Sequence, residues 1–125
     1  MELDYDQVRE FLMAIEDSDN IHGLDQQGGS KFAEENDMSR DQLAYMVMKL
    51  KEGNLITGSV KWASNEPYWI NPGNLTYSGH EYLNNIRDSK VWEGVKTATS
   101  KVGSVSLSIL VELAKQEMKK RLGLL

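Results

Sequence analysis

The chain has 125 residues, 40% of them hydrophobic and 26% charged, with ten glycines, two prolines and no cysteine. That is the length and apolar content of one ordinary domain, and it excludes a disulfide framework, a CxxC zinc knuckle and a thiol nucleophile. The formal charge of −5 argues against unselective coating of nucleic acid, and it is unevenly placed: residues 1 to 37 hold eleven acids and two bases, residues 38 to 125 eight acids and twelve bases. The acidic segment reads as a solubilising face or as an acidic docking surface. No stretch approaches the roughly 20 apolar residues of a membrane-spanning helix, and Met1 to Asp6 lacks the basic and apolar regions of a signal peptide. A cytoplasmic protein without membrane contact is therefore expected.

Asp4, with Gln7 three residues on, forms a helix-capping pattern, and Tyr5, Val8, Leu12 and Ile15 follow at helical spacing with Phe11 beside them, which predicts a helix over about 4 to 16. The turn formers Asp17, Ser18, Asp19 and Asn20 end it, and residues 17 to 30, with Gly23, Gly28 and Gly29, read as a loop. A short helical stretch over Lys31 to Glu35 precedes a break at Asn36, Asp37 and Met38. Ser39 and Gln42 then make a second capping box ahead of Leu43, Met46, Val47 and Leu50, and Gly53 is placed where a left-handed residue closes the helix. Short helix, tight turn and longer amphipathic helix make the helix-turn-helix pattern.

Leu55 to Trp62 alternates as a strand does, and Tyr68, Trp69 and Ile70 form a second apolar run, with a five-residue loop over 63 to 67 between them. A hairpin directly after a helix-turn-helix occupies the place of a wing. Thr76 caps a helix through Tyr82, Leu83 and Ile86, a shorter helix holds Val91, Trp92 and Val95, and Lys101 to Ser106 is a break. A last helix over about 106 to 122 carries Leu107, Leu110, Val111, Ala114 and Met118, broadened by Ile109 and Leu113, with Lys119, Lys120 and Arg121 complementing its dipole. The expected fold class is α+β, a winged helix-turn-helix over residues 1–90 with a C-terminal helical extension over 91–125. The extension either packs on its own subunit or forms a dimer through that stripe. Val8, Leu12, Ile15, Leu43, Val47, Leu50, Ile56, Leu83 and Ile86 are the expected core.

The run from Glu35 to Gln42, the Leu50-Lys51-Glu52-Gly53-Asn54-Leu55-Ile56 helix exit, the Leu75-to-Leu83 segment opening Leu-Thr-x-x-Gly, and Trp92 together resemble the YjcQ-like family. The likeness spans roughly residues 31 to 95. Residues Val102 to Leu125 also resemble the tail of a related phage and prophage domain family. The resemblance implies a small winged-helix protein of bacteria, their phages and prophages, and it brings no catalytic residues.

Histidine, the commonest acid–base group near neutral pH, occurs twice, at His22 in the loop and His80 in the first turn of the helix after the wing. Neither has a partner at metal-ligand helical spacing on its own face. Gly28-Gly29-Ser30-Lys31 lacks the spacing and the preceding strand of a phosphate-binding loop. The acidic cluster Glu16, Asp17 and Asp19 lacks the glycine and terminal glutamate of a calcium loop. No metal, no cofactor and no enzymatic activity are expected. Two binding roles stand instead: a DNA-binding regulatory or accessory protein, placed first because that is the commonest use of the fold, and a protein-binding module as the alternative. In a DNA reader the second helix of the motif would offer Arg40, Gln42, Tyr45 and Lys49 outside its apolar stripe, with Arg40 and Gln42 near base edges and Lys49 and the wing's Lys61 near phosphates of a double-stranded target. Residues 38 to 70 hold four bases and three acids, thin charge for that task. In a protein-binding module, Trp62, Tyr68 and Trp69 would anchor a phage or host protein, although packing against the helices is the expectation for Trp62.

Overall fold

A computed structural model describes residues 1–102 and 105–124. Gly103 and Ser104, inside the break expected over 101 to 106, lie outside the described residues, as does Leu125. The fold is α+β and winged-helix-like: among the described residues, six helices flank one two-stranded antiparallel hairpin, in the order ααα-ββ-ααα. Two compact units divide the chain, Met1–His80 and Glu81–Leu125.

In the first unit, α1 (Tyr5–Glu16) starts where the Asp4 carboxylate accepts the Asp6 and Gln7 amides at 3.0 and 3.2 Å, and its stripe of Val8, Phe11, Leu12 and Ile15 is buried. Phe11 meets Phe32 of α2 with ring centroids 5.0 Å apart and planes tilted by 57°, a favoured aromatic geometry. α2 (Gln26–Glu35) corrects the loop expected over 17 to 30, because it begins five residues before the stretch read as helical. Asp25 caps it, accepting the Gly28 amide at 2.8 Å, so the glycine pair lies inside the first turns. Gly29 is there for space: a Cβ at that position would stand 2.8 Å from Pro72 Cγ, too close for real carbon atoms.

The turn into the next helix passes through Asp37 at φ 53°, where the Met38 amide donates to Ala33 O at 2.9 Å, the backbone closure that ends many helices at a left-handed residue. α3 (Arg40–Glu52) opens with the expected capping box. Gln42 N donates to Ser39 Oγ at 3.1 Å and Ser39 N to Gln42 Oε1 at 2.8 Å. Leu43, Ala44, Met46, Val47 and Leu50 are buried. Its exit corrects the reading of Gly53, which has φ −77°; the left-handed residue is Asn54 at φ 60°, with Leu55 N donating to Leu50 O at 2.9 Å. A short amide side chain tolerates that region, so the glycine's freedom is not needed there.

The first strand is shorter, the second longer and the turn tighter than the sequence predicts. β1 (Ser59–Ala63) and β2 (Glu66–Asn71) are joined by Ser64 and Asn65 alone, both at positive φ (53° and 65°), the geometry whose twist matches a two-residue hairpin. Ile56 stands before β1, bridged to Leu75, rather than inside it. The register skips at Tyr68: Lys61 faces Trp69 and Trp62 faces Pro67. This extra residue makes a bulge. It explains why the two buried β2 residues, Pro67 and Ile70, are three apart instead of two, and why Tyr68 and Trp69 are both exposed. Both strands pack against α3, and β2 also against α2.

α4 (Tyr77–Ile86) begins at Thr76, whose hydroxyl accepts the Gly79 amide at 3.0 Å, and runs from the first unit into the second. In the second unit, α5 (Ser89–Thr99) is capped by Asp88. The Val91 and Lys90 amides donate to that carboxylate at 3.0 and 2.9 Å and hold its pKa below the ordinary value, the Val91 bond most strongly. α6 (Leu107–Arg121), capped by Ser106, packs on α5. Leu110 and Ala114 of the stripe expected at a dimer interface are buried within the single chain, and Leu107, Val111 and Met118 are half-buried. All nine expected core residues are buried.

Candidate functional site

Four of the five side chains considered for reading DNA have local work. The Arg40 guanidinium donates from Nε to Pro67 O and from Nη2 to Tyr68 O, each at 3.0 Å, and reaches Gln26 Oε1 at 3.4 Å. Gln26 Oε1 in turn accepts the Ile70 amide at 3.0 Å. These groups lie along the edge of β2 that β1 does not use, so Arg40 and Gln26 bond it as a third strand would. Gln42 belongs to the helix cap. Lys49 donates to Glu52 at 3.0 Å, which raises its pKa from the ordinary value, and its Nζ lies 5.6 Å from the centre of the half-buried Tyr45 ring. Lys61 is exposed on β1, and the acidic N-terminal residues Glu2 and Asp4 share a depression of about 120 Å³ with Gln42 and Tyr45. The first unit as a whole holds fourteen acids and six bases, a formal −8.

The hairpin differs. Trp62, Tyr68 and Trp69 are 50, 54 and 43% exposed. Trp62 shares its face of β1 with the partly buried Val60, stands opposite the buried Pro67 and is half covered. The aromatic surface is mounted on a strand whose backbone is bonded to α2 and α3, which limits its freedom before any partner arrives.

Beside it lies a cleft of about 440 Å³ that sequence reasoning missed. Trp69 and Asn71 of β2 form one wall, and the segment from Ser18 to Gln26, including Asn20, His22 and Asp25, forms the other. The segment is ordered by its own polar groups: Ser18 Oγ donates to Gly23 O at 2.9 Å, His22 N to Asn20 Oδ1 at 2.8 Å, and Leu24 and Gly73 exchange backbone bonds at 2.9 and 3.1 Å. Gly23 is required where it stands, at φ 79° with its backbone against Gly73, since a Cβ would overlap the Gly73 carbonyl. The Ser18, Asn20 and Asp25 pattern was a signal of turn and cap chemistry, but nothing local placed it opposite Trp69.

A second groove, about 480 Å³, lies between α1 and α2, with Glu10, Glu16, Asp17 and Glu35 around Met13 and Phe32. His80 stands 3.8 Å from Glu16 at Nδ1. Among the described residues, no three His, Asp or Glu side chains come together as a metal-holding group, and no helix is long and apolar enough to cross a membrane.

One protein family matches the sequence, over residues 2–106: that described as "Hypothetical protein (DUF2513)". The match spans α1 through α5 and stops before α6. No curated protein and no solved structure matches the chain.

Proposed function

Since the chain belongs to the DUF2513 family, whose description brings no activity with it, we propose its role from its own surface: a winged-helix module, not an enzyme, that binds another protein through its hairpin. One observation carries this reading. Tyr68 and Trp69 stay about half exposed on a strand held in place by Arg40 and Gln26, and Trp62 is equally exposed on the strand paired with it. Large aromatic side chains on a rigid support are the usual anchors of an interface, because they bury much area and lose little entropy on binding. The YjcQ-like resemblance adds the setting, a phage or prophage accessory protein of the cytoplasm whose partner is a phage or host protein.

Duplex DNA is the weaker reading. It has the precedent of the fold, but fold alone does not establish function. Arg40, Gln42 and Lys49 already have partners, Lys61 stands on the hairpin, and the unit that would meet phosphate is acidic. With so few cations to displace counterions, any duplex affinity should fall against salt with a logarithmic slope of only roughly −2 to −4.

The test places a photoreactive phenylalanine analogue at Tyr68 and, as a control, at the exposed Glu34 of α2. One protein adduct specific to position 68 is expected; the purified partner should then bind the Trp62→Ser variant about tenfold or more weakly. Identical adducts from both positions, or saturable binding of random duplex at low salt that is lost in Lys49→Ala, would overturn the proposal.

A further inference from the structure

We infer that the cleft beside Trp69 takes the main chain of a short extended segment of the protein partner, meeting its carbonyl groups with side-chain N–H donors; the inference rests on the hairpin reading above and names what that partner brings to the site. The volume, about 440 Å³, falls in the range of small-ligand sites and suits a short stretch of peptide. Three lining residues carry carboxamides, Asn20, Gln26 and Asn71, and the backbone fixes which way two of them turn. Asn20 Oδ1 accepts the His22 amide at 2.8 Å, and Gln26 Oε1 accepts the Ile70 amide at 3.0 Å. A backbone N–H can only donate, so each oxygen is held at that partner and the end left for a ligand is the NH2 group. Trp69 adds an indole N–H, which also only donates. The Ser18 hydroxyl is spent on its own loop, donating to Gly23 O at 2.9 Å and accepting the Asn20 amide at 3.2 Å.

These donors select the occupant, and charge does not. Asp25, the one carboxylate of the lining, accepts the Gly28 amide and caps the positive end of α2, while Arg40 lies beside the cleft on Gln26 Oε1 and Tyr68 O. A carboxylate from the partner would lose water and find, among the described residues, no lysine or arginine in the lining. An ammonium or guanidinium is donor-only and would set its N–H groups against those of the carboxamides. Peptide carbonyls are neutral acceptors that recur along an extended chain about every 3.3 Å, so neighbouring donors in one cleft can be met by successive residues. Adding a strand to β2 cannot bind the same segment, because Arg40 and Gln26 already occupy the free edge. The side-chain amides take over that work.

The experiment titrates the ¹⁵N-labelled full chain with N-acetyl-trialanine methylamide, a neutral probe with main-chain groups alone, and in parallel with methyl glucoside, which is also neutral but has hydroxyls in place of peptide carbonyls. Expected are saturable shifts of the Asn20 and Gln26 NH2 signals and of the Trp69 indole N–H with the peptide, and none with the glucoside. Asn20→Asp and Gln26→Glu each keep the oxygen that holds the backbone and replace the donor by an acceptor; unchanged hydrogen-exchange rates at the His22 and Ile70 amides would verify that the local fold survives. Each should lower the peptide affinity about tenfold or more. Tyr68→Phe, outside the cleft, should leave it unchanged. Unaltered peptide affinity in both carboxylate variants, glucoside binding as tight as that of the peptide, or no saturable shift at all would overturn the inference. A position-68 adduct found alongside a cleft silent to the peptide would sink this inference alone. Peptide binding in the cleft with no partner on the hairpin would instead sink the hairpin reading and leave the chemistry of the cleft standing.

Discussion

α3 and the hairpin exchange the roles that their side chains suggest. On α3, polar groups of the kind that read a DNA groove serve the fold: Arg40 bonds two carbonyls of β2, Gln42 closes a helix cap, and Lys49 pairs with Glu52. On the hairpin, three aromatic side chains of the kind that build a core stay about half exposed. A residue's type gives what it can do; which backbone donors and acceptors lie within its reach decides what it does. The unused edge of β2 needs partners, and buried or half-buried carbonyls and amides without them are costly, so the nearest long polar side chains are recruited.

That contrast can be broken by mutation, and the expected effects differ in size. Leu50→Ala, in the buried stripe of α3, should cost about 2 to 5 kcal/mol in urea unfolding, because it leaves a cavity in the core. A smaller loss would mean that α3 is not the central support of the first unit. Arg40→Ala should cost about 1.5 to 3 kcal/mol, as it removes charged hydrogen bonds to Pro67 O and Tyr68 O, and Arg40→Lys should recover little of it, since an ammonium cannot span both carbonyls as a planar fork does. Full stability in Arg40→Ala would return that guanidinium to the list of groups available for DNA. Ser39→Ala should lower stability by about 1 kcal/mol while Ser39→Asp leaves it nearly unchanged, because aspartate caps the same helix. Smallest of all, Tyr68→Ser, at the most exposed of the three rings, should cost no more than about 1 kcal/mol. A loss of several times that size would place this ring in the fold and remove it from the interface.

What could be read from the sequence follows the range of the interactions concerned. The caps at Asp4, Ser39 and Thr76 and the stripe of α3 are local patterns, and each is present in the structure. Asp25 offered the same kind of signal, but the two glycines after it read as a loop, and what calls for a glycine at position 29 is Pro72, more than forty residues away in the chain. The hairpin was legible as two apolar runs. Its two-residue turn was not, because Pro67 looks like a loop residue until the bulge places it in a strand, and serine is an uncommon choice at positive φ. Of the candidate surface, the aromatic trio was visible from spacing alone. The bonds of Arg40 to Pro67 and Tyr68 join residues 27 and 28 positions apart in the chain, and no local pattern announces them.

The way Arg40 and Gln26 cover β2 also bears on how the molecule behaves in a crowded solution. An open strand edge is a template on which another extended chain can pair, whether a partner peptide or a misfolded copy of the same protein. Along β2 that template is already occupied by a guanidinium and an amide, so a partner must grip the hairpin by its rings and cannot extend the sheet on that side. Removing the guanidinium would then do more than loosen a turn: it would bare Pro67 O and Tyr68 O beside two exposed aromatics, and the resulting variant should form thioflavin-positive aggregates on warming well before the wing variants do.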